Sequence, residues 1–173
     1  MRGAIGLAIC MALTWPGAAV AEEPRAPEAP VRGGAEFRWL VPVQQPQSAG
    51  LFYGGPDARY VNPWMVLGTA AYLGALTRNG IRGGMAYGGF FFGVENPLAE
   101  GWRLDLDALG GLGGGIATTV SEWTVFVSPV IEPRVALTRV FDSRVQASVG
   151  VGYLYLPQSD SLSGVNASVR VQL

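Results

Sequence analysis

The chain has 173 residues, of which 49% are hydrophobic and 14% charged, with 25 glycines and a formal net charge of −1. It contains no histidine, and every basic residue is an arginine, so the side chains on which most nucleophilic and Schiff-base catalysis depends are missing. The small net charge offers no basic surface to a phosphate backbone. We therefore expect neither an enzyme nor a nucleic-acid-binding protein, and no cofactor.

The N-terminal segment has the pattern of a secretory signal. A positive start at Arg2, an apolar stretch over residues 4–13 and the small-x-small sequence at residues 19–21 predict a signal peptide cleaved after Ala21. The alternative is a lipoprotein signal around Cys10, but isoleucine stands at position 9, where a small residue is required. Cleavage after Ala21 leaves a chain without a thiol, and hence without a disulfide or a Cys/His metal site. Residues 22–34, EEPRAPEAPVRGG, predict an extended Pro-rich periplasmic spacer.

From Ala35 onward, the dominant pattern is an alternation of period two, which predicts β-strands. Residues 35–43 alternate cleanly, and residues 51–61 do so less regularly but are also counted as a strand. Residues 63–77 and 81–95 flank Asn79-Gly80, a sequence typical of a hairpin turn, which pairs Arg78 with Ile81. The alternative for residues 63–78 is a helix capped by Asn62, which the glycines inside it disfavour.

Four further alternating segments cover residues 102–116, 122–137, 144–155 and 163–173. Several of them are ten or more residues long, which exceeds the usual length of strands in soluble sheets but suits a tilted crossing of a bilayer. The polar faces are rich in glycine and serine, and aromatic residues such as Trp64, Trp102 and Phe141 stand near strand ends. An open sheet edge in lipid would leave backbone groups without hydrogen bonds. We therefore predict an all-β fold, a closed antiparallel transmembrane β-barrel of eight strands over residues 35–173; the alternative is a soluble β-sandwich.

In its signal peptide, its strand rhythm and a chain that ends inside a strand, the sequence resembles the small outer-membrane β-barrels of Gram-negative bacteria, the OmpA-, OmpX- and OmpW-like group. Leu173 stands where such proteins usually end on an aromatic residue. The resemblance implies an outer-membrane location, membrane lipid as the surrounding partner, and both ends of the barrel domain on the periplasmic side. The short outer connections argue against an adhesin built on long loops.

An eight-stranded barrel is just wide enough for side chains to fill its lumen. The alternation directs one set of charged side chains into this lumen: Arg103, Asp105, Asp107, Glu132, Arg134, Arg144 and Arg170. Charges of opposite sign in so narrow a space must pair, because an unpaired buried charge is costly. We therefore predict an ion-paired plug, with an ion-conducting path along the same residues and a cation held by the carboxylates as alternatives.

A second prediction concerns the wall of the lumen. Four apolar side chains, namely Met65, Leu67, Phe90 and Phe92, are candidates for an apolar lumen wall that would make a cavity amphipathic. The sequence thus predicts a structural or envelope-interaction protein with a largely plugged lumen, with an envelope protein assembly as a candidate partner. The alternative function is a narrow channel or carrier for a small hydrophobic or amphipathic solute.

Overall fold

The structure is a computed structural model that describes residues 34–44, 49–78, 81–118, 123–141 and 145–172. The predicted signal peptide, nearly all of the predicted spacer, and Arg144 lie outside these residues. No helix in the described part of the chain is long and apolar enough to cross a membrane.

Eight antiparallel strands form one closed barrel in which each strand pairs with the next and the last pairs with the first. The strands are β1 (Ala35–Pro42), β2 (Ala49–Asn62), β3 (Met65–Arg78), β4 (Ile81–Ala99), β5 (Trp102–Thr118), β6 (Trp123–Val140), β7 (Gln146–Leu154) and β8 (Gly164–Gln172). The predicted all-β closed barrel of eight strands is confirmed. The soluble sandwich is wrong, because a sheet that closes on itself leaves no second layer to pack against.

The segment for which a helix was the alternative is a strand. β3 pairs with β2 on one side and with β4 on the other over nearly its whole length, and the predicted pairing of Arg78 with Ile81 is observed. Gly68 shows why glycine is needed inside this strand, because a Cβ there would lie 2.1 Å from the carbonyl oxygen of Asp57 on β2. The helix interpretation treated the glycines only as weak helix formers, whereas they allow strands to approach closely.

The barrel has two distinct ends. The terminal end contains the start of β1, the end of β8 and the connections that follow β2, β4 and β6; the opposite end contains the other connections. The turn after β4 is tight, and Gly101 adopts a left-handed backbone conformation there with φ of 68°. Because β2 to β6 have 14 to 19 residues and the other strands 8 or 9, the wall is taller on one side.

The distribution of polar and apolar side chains is the reverse of that in a water-soluble protein. In β1, Glu36 and Arg38 are 0% and 3% exposed, whereas Phe37 and Trp39 are 55% and 61% exposed. The other strands continue this arrangement, so the lumen is polar at its centre and most of the outer surface is an apolar belt. Exposed aromatic side chains lie near the terminal end and again towards the opposite end: Trp64, Trp102 and Phe141 in the first group, Trp39, Tyr53, Tyr153 and Tyr155 in the second. Such a belt between two girdles of aromatic side chains suits a lipid bilayer.

Candidate functional site: the barrel lumen

The middle of the lumen holds six buried ionic side chains, which we call the central layer. They comprise three carboxylates and three guanidinium groups, so their formal charges balance: Glu36, Asp107, Glu132, Arg38, Arg134 and Arg170. Two pairs of neighbouring strands supply them: β8 with β1, and β5 with β6. Inward-facing side chains of different strands converge because the barrel is narrow.

Glu36 is the hub of the central layer and has no exposed surface. One carboxylate oxygen, Oε2, accepts hydrogen bonds from Arg170 Nε at 2.8 Å and from the Tyr72 hydroxyl at 3.0 Å. The other oxygen accepts one from Arg38 Nε at 3.1 Å and pairs with Arg134. A single carboxylate therefore binds all three arginines of the layer, and these charge-assisted bonds lie in a medium of low dielectric.

Each arginine of the central layer has a second carboxylate partner. Arg134 Nη2 lies 2.8 Å from Asp107 Oδ2, and Arg170 Nη2 lies 3.5 Å from the same oxygen. Arg38 pairs with Glu132, whose Oε1 also accepts a hydrogen bond from Asn166 Nδ2 at 2.8 Å. The result is a connected network in which no arginine depends on a single ion pair.

Two tyrosines cover the central layer on the side of β3 and β4. The Arg38 guanidinium lies over the Tyr72 ring, 3.6 Å from its centroid, and donates a hydrogen bond to the Tyr87 hydroxyl at 3.1 Å. The two rings are stacked, with centroids 5.1 Å apart. A cation over an aromatic face is stabilised most when both groups are removed from water. The two tyrosines thus contact the charges through their hydroxyl groups and, for Tyr72, also through the face of the ring.

A cluster of buried apolar side chains, which we call the apolar cap, lies in the lumen between the central layer and the opposite end of the barrel. Its side chains are at most 1% exposed and come from six different segments: Leu40, Phe52, Met85, Val130, Leu154 and Leu156. The rings of Phe52 and Tyr87 are packed edge to face, with their centroids 5.4 Å apart, so the apolar cap contacts the tyrosines directly.

A third group, the terminal cluster, lies on the other side of the central layer near the terminal end. Arg103 is its centre: its Nε lies 2.7 Å from Asp105 Oδ1, and its Nη1 lies 2.8 Å from Glu95 Oε2. The Tyr60 hydroxyl donates to the same Glu95 oxygen at 2.7 Å. Gln146 accepts from Arg103 at 3.0 Å. Side-chain exposures of 12–13% for Arg103 and Glu95 show that this cluster borders the opening.

Six of the seven charged residues predicted to face the lumen lie inside it, and the seventh, Arg144, lies outside the described residues. Asp107, Glu132, Arg134 and Arg170 belong to the central layer, and Arg103 and Asp105 belong to the terminal cluster. Five further residues of these two groups, or in contact with them, were not predicted from the sequence: Glu36, Arg38, Tyr72, Tyr87 and Glu95. The signal for the first two was present, because the clean alternation of residues 35–43 puts them opposite Phe37 and Trp39.

The predicted apolar lumen wall is wrong. Leu67, Phe90 and Phe92 are 44%, 81% and 41% exposed on the outside of the barrel, and Met65 has the same orientation. Their neighbours Val66 and Phe91 point inward instead. At this level both faces of β3 and β4 are apolar, so the period-two pattern alone does not distinguish inside from outside. The inward side chains of β3 and β4 at this level are therefore Val66 and Phe91 rather than the four predicted residues.

Comparisons with known proteins agree with this architecture. No family model and no curated protein matches the sequence. Among solved structures, the N-terminal β-barrel domain of OprF from Pseudomonas aeruginosa is similar with a TM-score of 0.57 and 12% identity, covering 82% of this chain and 97% of that one. Neisserial surface protein A gives a TM-score of 0.57 and 12% identity, covering 83% and 96%.

A third similar structure is Ail, the attachment invasion locus protein of Yersinia pestis, with a TM-score of 0.50 and 10% identity, covering 81% of this chain and 91% of that one. All three are eight-stranded outer-membrane barrels of Gram-negative bacteria, as the resemblance in the sequence predicted. At these identities the similarity concerns the fold. Function must be argued from the belt and the lumen of this chain.

Proposed function

We propose that this protein is a barrel of the outer membrane with a structural or envelope-interaction role, and that its lumen is closed to ions and solutes. The observation that carries the proposal is the filling of the lumen by three successive groups of side chains: the terminal cluster, the central layer and the apolar cap. We propose no reaction, because the charged side chains in the lumen pair with one another around a closed network.

The outer surface supports the proposed location. A belt that exposes side chains such as Phe37, Leu73 and Val127 to 55%, 69% and 63% would aggregate in water, whereas acyl chains solvate it. The girdles of aromatic side chains near both ends suit the two interfacial regions of a bilayer. The predicted signal peptide supplies export, and by the family resemblance the terminal end faces the periplasm.

The order of the three groups supports the proposed closed lumen. An ion entering at the terminal end would first meet the pair of Arg103 with Glu95, then the central layer, in which each arginine contacts two carboxylates. Beyond that layer lies the apolar cap, which offers an ion no oxygen or nitrogen ligand in place of its water shell. A conducting path would require the side chains of the central layer and those of the apolar cap to move apart at the same time.

Conductance in planar lipid bilayers tests the closed lumen. We expect the refolded protein to give no discrete current steps in KCl, and the same absence for Arg82→Ala, a matched change at an exposed position of β4. Steps in the unaltered protein that change with Arg103→Ala or Asp105→Ala, but not with Arg82→Ala, would overturn the closed lumen and establish the channel alternative.

Gel migration of washed outer membranes tests the location. We expect a band in the membrane fraction that migrates differently before and after boiling, because a closed barrel resists detergent until it is heated. Recovery of the protein in the soluble periplasmic fraction, without such a shift, would overturn the proposed location and with it the proposed role.

A further inference from the structure

The apolar belt is interrupted at one place by charged side chains. Asp57 and Arg59 on β2 both point outward and are exposed. Asp57 lies five residues from the end of β2; with a rise of about 3.3 Å per residue and a tilt of about 40°, this puts it about 12 Å from the terminal rim. An apolar band is about 25 Å tall, so Asp57 lies within the height of such a band on the side of β2 and β3, although it lies beyond the start of β1.

These two charges have no partner among the residues that the structure describes. Neither Asp57 nor Arg59 makes an ion pair or a side-chain hydrogen bond with any other residue that the structure describes. The arginines in the lumen, by contrast, each contact two carboxylates. A carboxylate facing acyl chains loses its hydration without compensation, unless something polar covers it.

The surface around Asp57 has the shape of a contact site. A shallow groove runs over β2, β3 and β4, which we call the β2–β4 groove; it is lined by Gly55, Asp57, Thr69, Ala71, Gly88 and Phe90. Most of these side chains are small, so another backbone can approach closely. Phe90 projects beside the groove and, at 81%, is the most exposed large hydrophobic side chain in the described residues. A projecting side chain next to a depression allows two such surfaces to interlock.

We infer that the β2–β4 groove is the interface of a symmetric homodimer in the membrane, an inference that rests on the proposed outer-membrane location. Two copies inserted in the same direction are related by a two-fold axis along the membrane normal, so identical surfaces meet. Asp57 of each copy then pairs with Arg59 of the second copy, and Phe90 enters the small-residue groove of the second copy. Residues two apart on a tilted strand differ in height by about 5 Å, which an arginine side chain spans.

A second copy fits this surface because both signs of charge are present on it. Asp57 and Arg59 together are neutral, and two-fold symmetry forms two Asp57–Arg59 ion pairs between the copies without any other protein. A different partner would have to supply both an acid and a base at these heights within the bilayer. Lipid alone supplies neither at the depth of Asp57.

Charge exchange tests the dimer. We expect the refolded full chain in lipid nanodiscs or micelles to sediment as a dimer, and Asp57→Arg or Arg59→Asp to raise its dissociation constant at least about tenfold, because like charges then face each other. The double variant with both substitutions restores opposite charges and is expected to return to within about threefold of the original constant. Val149→Asp, which puts a charge on the outward face of β7, is the matched control and is expected to leave dimerisation unchanged.

Disulfide formation tests the same contact in membranes. In a Cys10→Ala background, Thr69→Cys is expected to give a cross-linked dimer under mild oxidation, whereas Val149→Cys is expected to give none. A heat-modifiable protein in the membrane that is monomeric in every variant would overturn the dimer while the proposed function stands. Loss of dimer in both single variants without recovery in the double variant would overturn the Asp57–Arg59 pairing. A soluble protein would overturn the proposed function itself.

Discussion

Replacing the hub of the central layer is the sharpest test of how the lumen stabilises the barrel. Glu36→Gln preserves the volume and one acceptor oxygen but removes the charge that binds Arg38, Arg134 and Arg170. The layer then holds three positive charges and two negative ones without access to water. Removing one partner from a buried ionic network costs about 3 to 5 kcal/mol, and we expect a loss of this size in the free energy of unfolding.

Urea unfolding of the refolded protein in lipid vesicles, followed by tryptophan fluorescence, measures this loss. Glu100→Gln is the matched control, because Glu100 is exposed in the turn after β4 and its substitution is expected to leave the unfolding midpoint unchanged. A loss below about 1 kcal/mol for Glu36→Gln would show that the network is not needed for stability and would refute the reasoning.

A compensating substitution separates charge balance from local packing. Arg170→Gln combined with Glu36→Gln leaves two acids and two arginines in the central layer. We expect the double variant to be more stable than the sum of the single losses by about 1 to 3 kcal/mol, because the two side chains contact each other. Strictly additive losses would contradict the view that the layer acts as one network.

Three further predictions are checked by the same urea unfolding in lipid vesicles. Gly111→Ala is expected to cost about 1 to 3 kcal/mol, because its Cβ would lie 2.1 Å from a backbone oxygen of the facing strand, whereas Gly110→Ala, with nothing within 4 Å, is expected to have no effect. Leu40→Ala in the apolar cap is expected to cost about 2 to 5 kcal/mol, and Leu51→Ala, on the lipid-facing surface, clearly less. Arg38→Lys is expected to cost about 1 to 2 kcal/mol, because lysine keeps the charge but loses the planar group that stacks on the tyrosine ring; equal stability of arginine and lysine would contradict that stacking.

Much of the fold could be predicted from the sequence. Whether a segment forms a strand, and which of its side chains share a face, depends mainly on residues close together in the chain. Alternation identified all eight strands, and Asn79-Gly80 predicted the register of one hairpin correctly. Where one face is charged, as with Arg103, Asp105 and Asp107, the alternation also identified the inward face, since a charge is costly in lipid.

The prediction failed where a strand has no polar face. Phe90, Phe91 and Phe92 are consecutive, so no alternation indicates which of them points inward. The inward face of β4 follows instead from its pairing with β3, in which Tyr72 lies opposite Tyr87 and both hydroxyls reach the central layer. A shift of one residue would exchange the two faces of the whole strand, and only the assembled barrel determines the register.

The sequence by itself therefore determined a closed barrel with a polar lumen and an apolar belt, because period-two alternation and strand length are properties of short segments. Only the tertiary structure decided which charges meet. Glu36 and Arg170 are 134 positions apart in the chain, yet they lie 2.8 Å apart because β8 closes onto β1. Closure also leaves Asp57 and Arg59 outside the network, since β2 turns these two positions towards the membrane while the charges of β1, β5, β6 and β8 face the lumen.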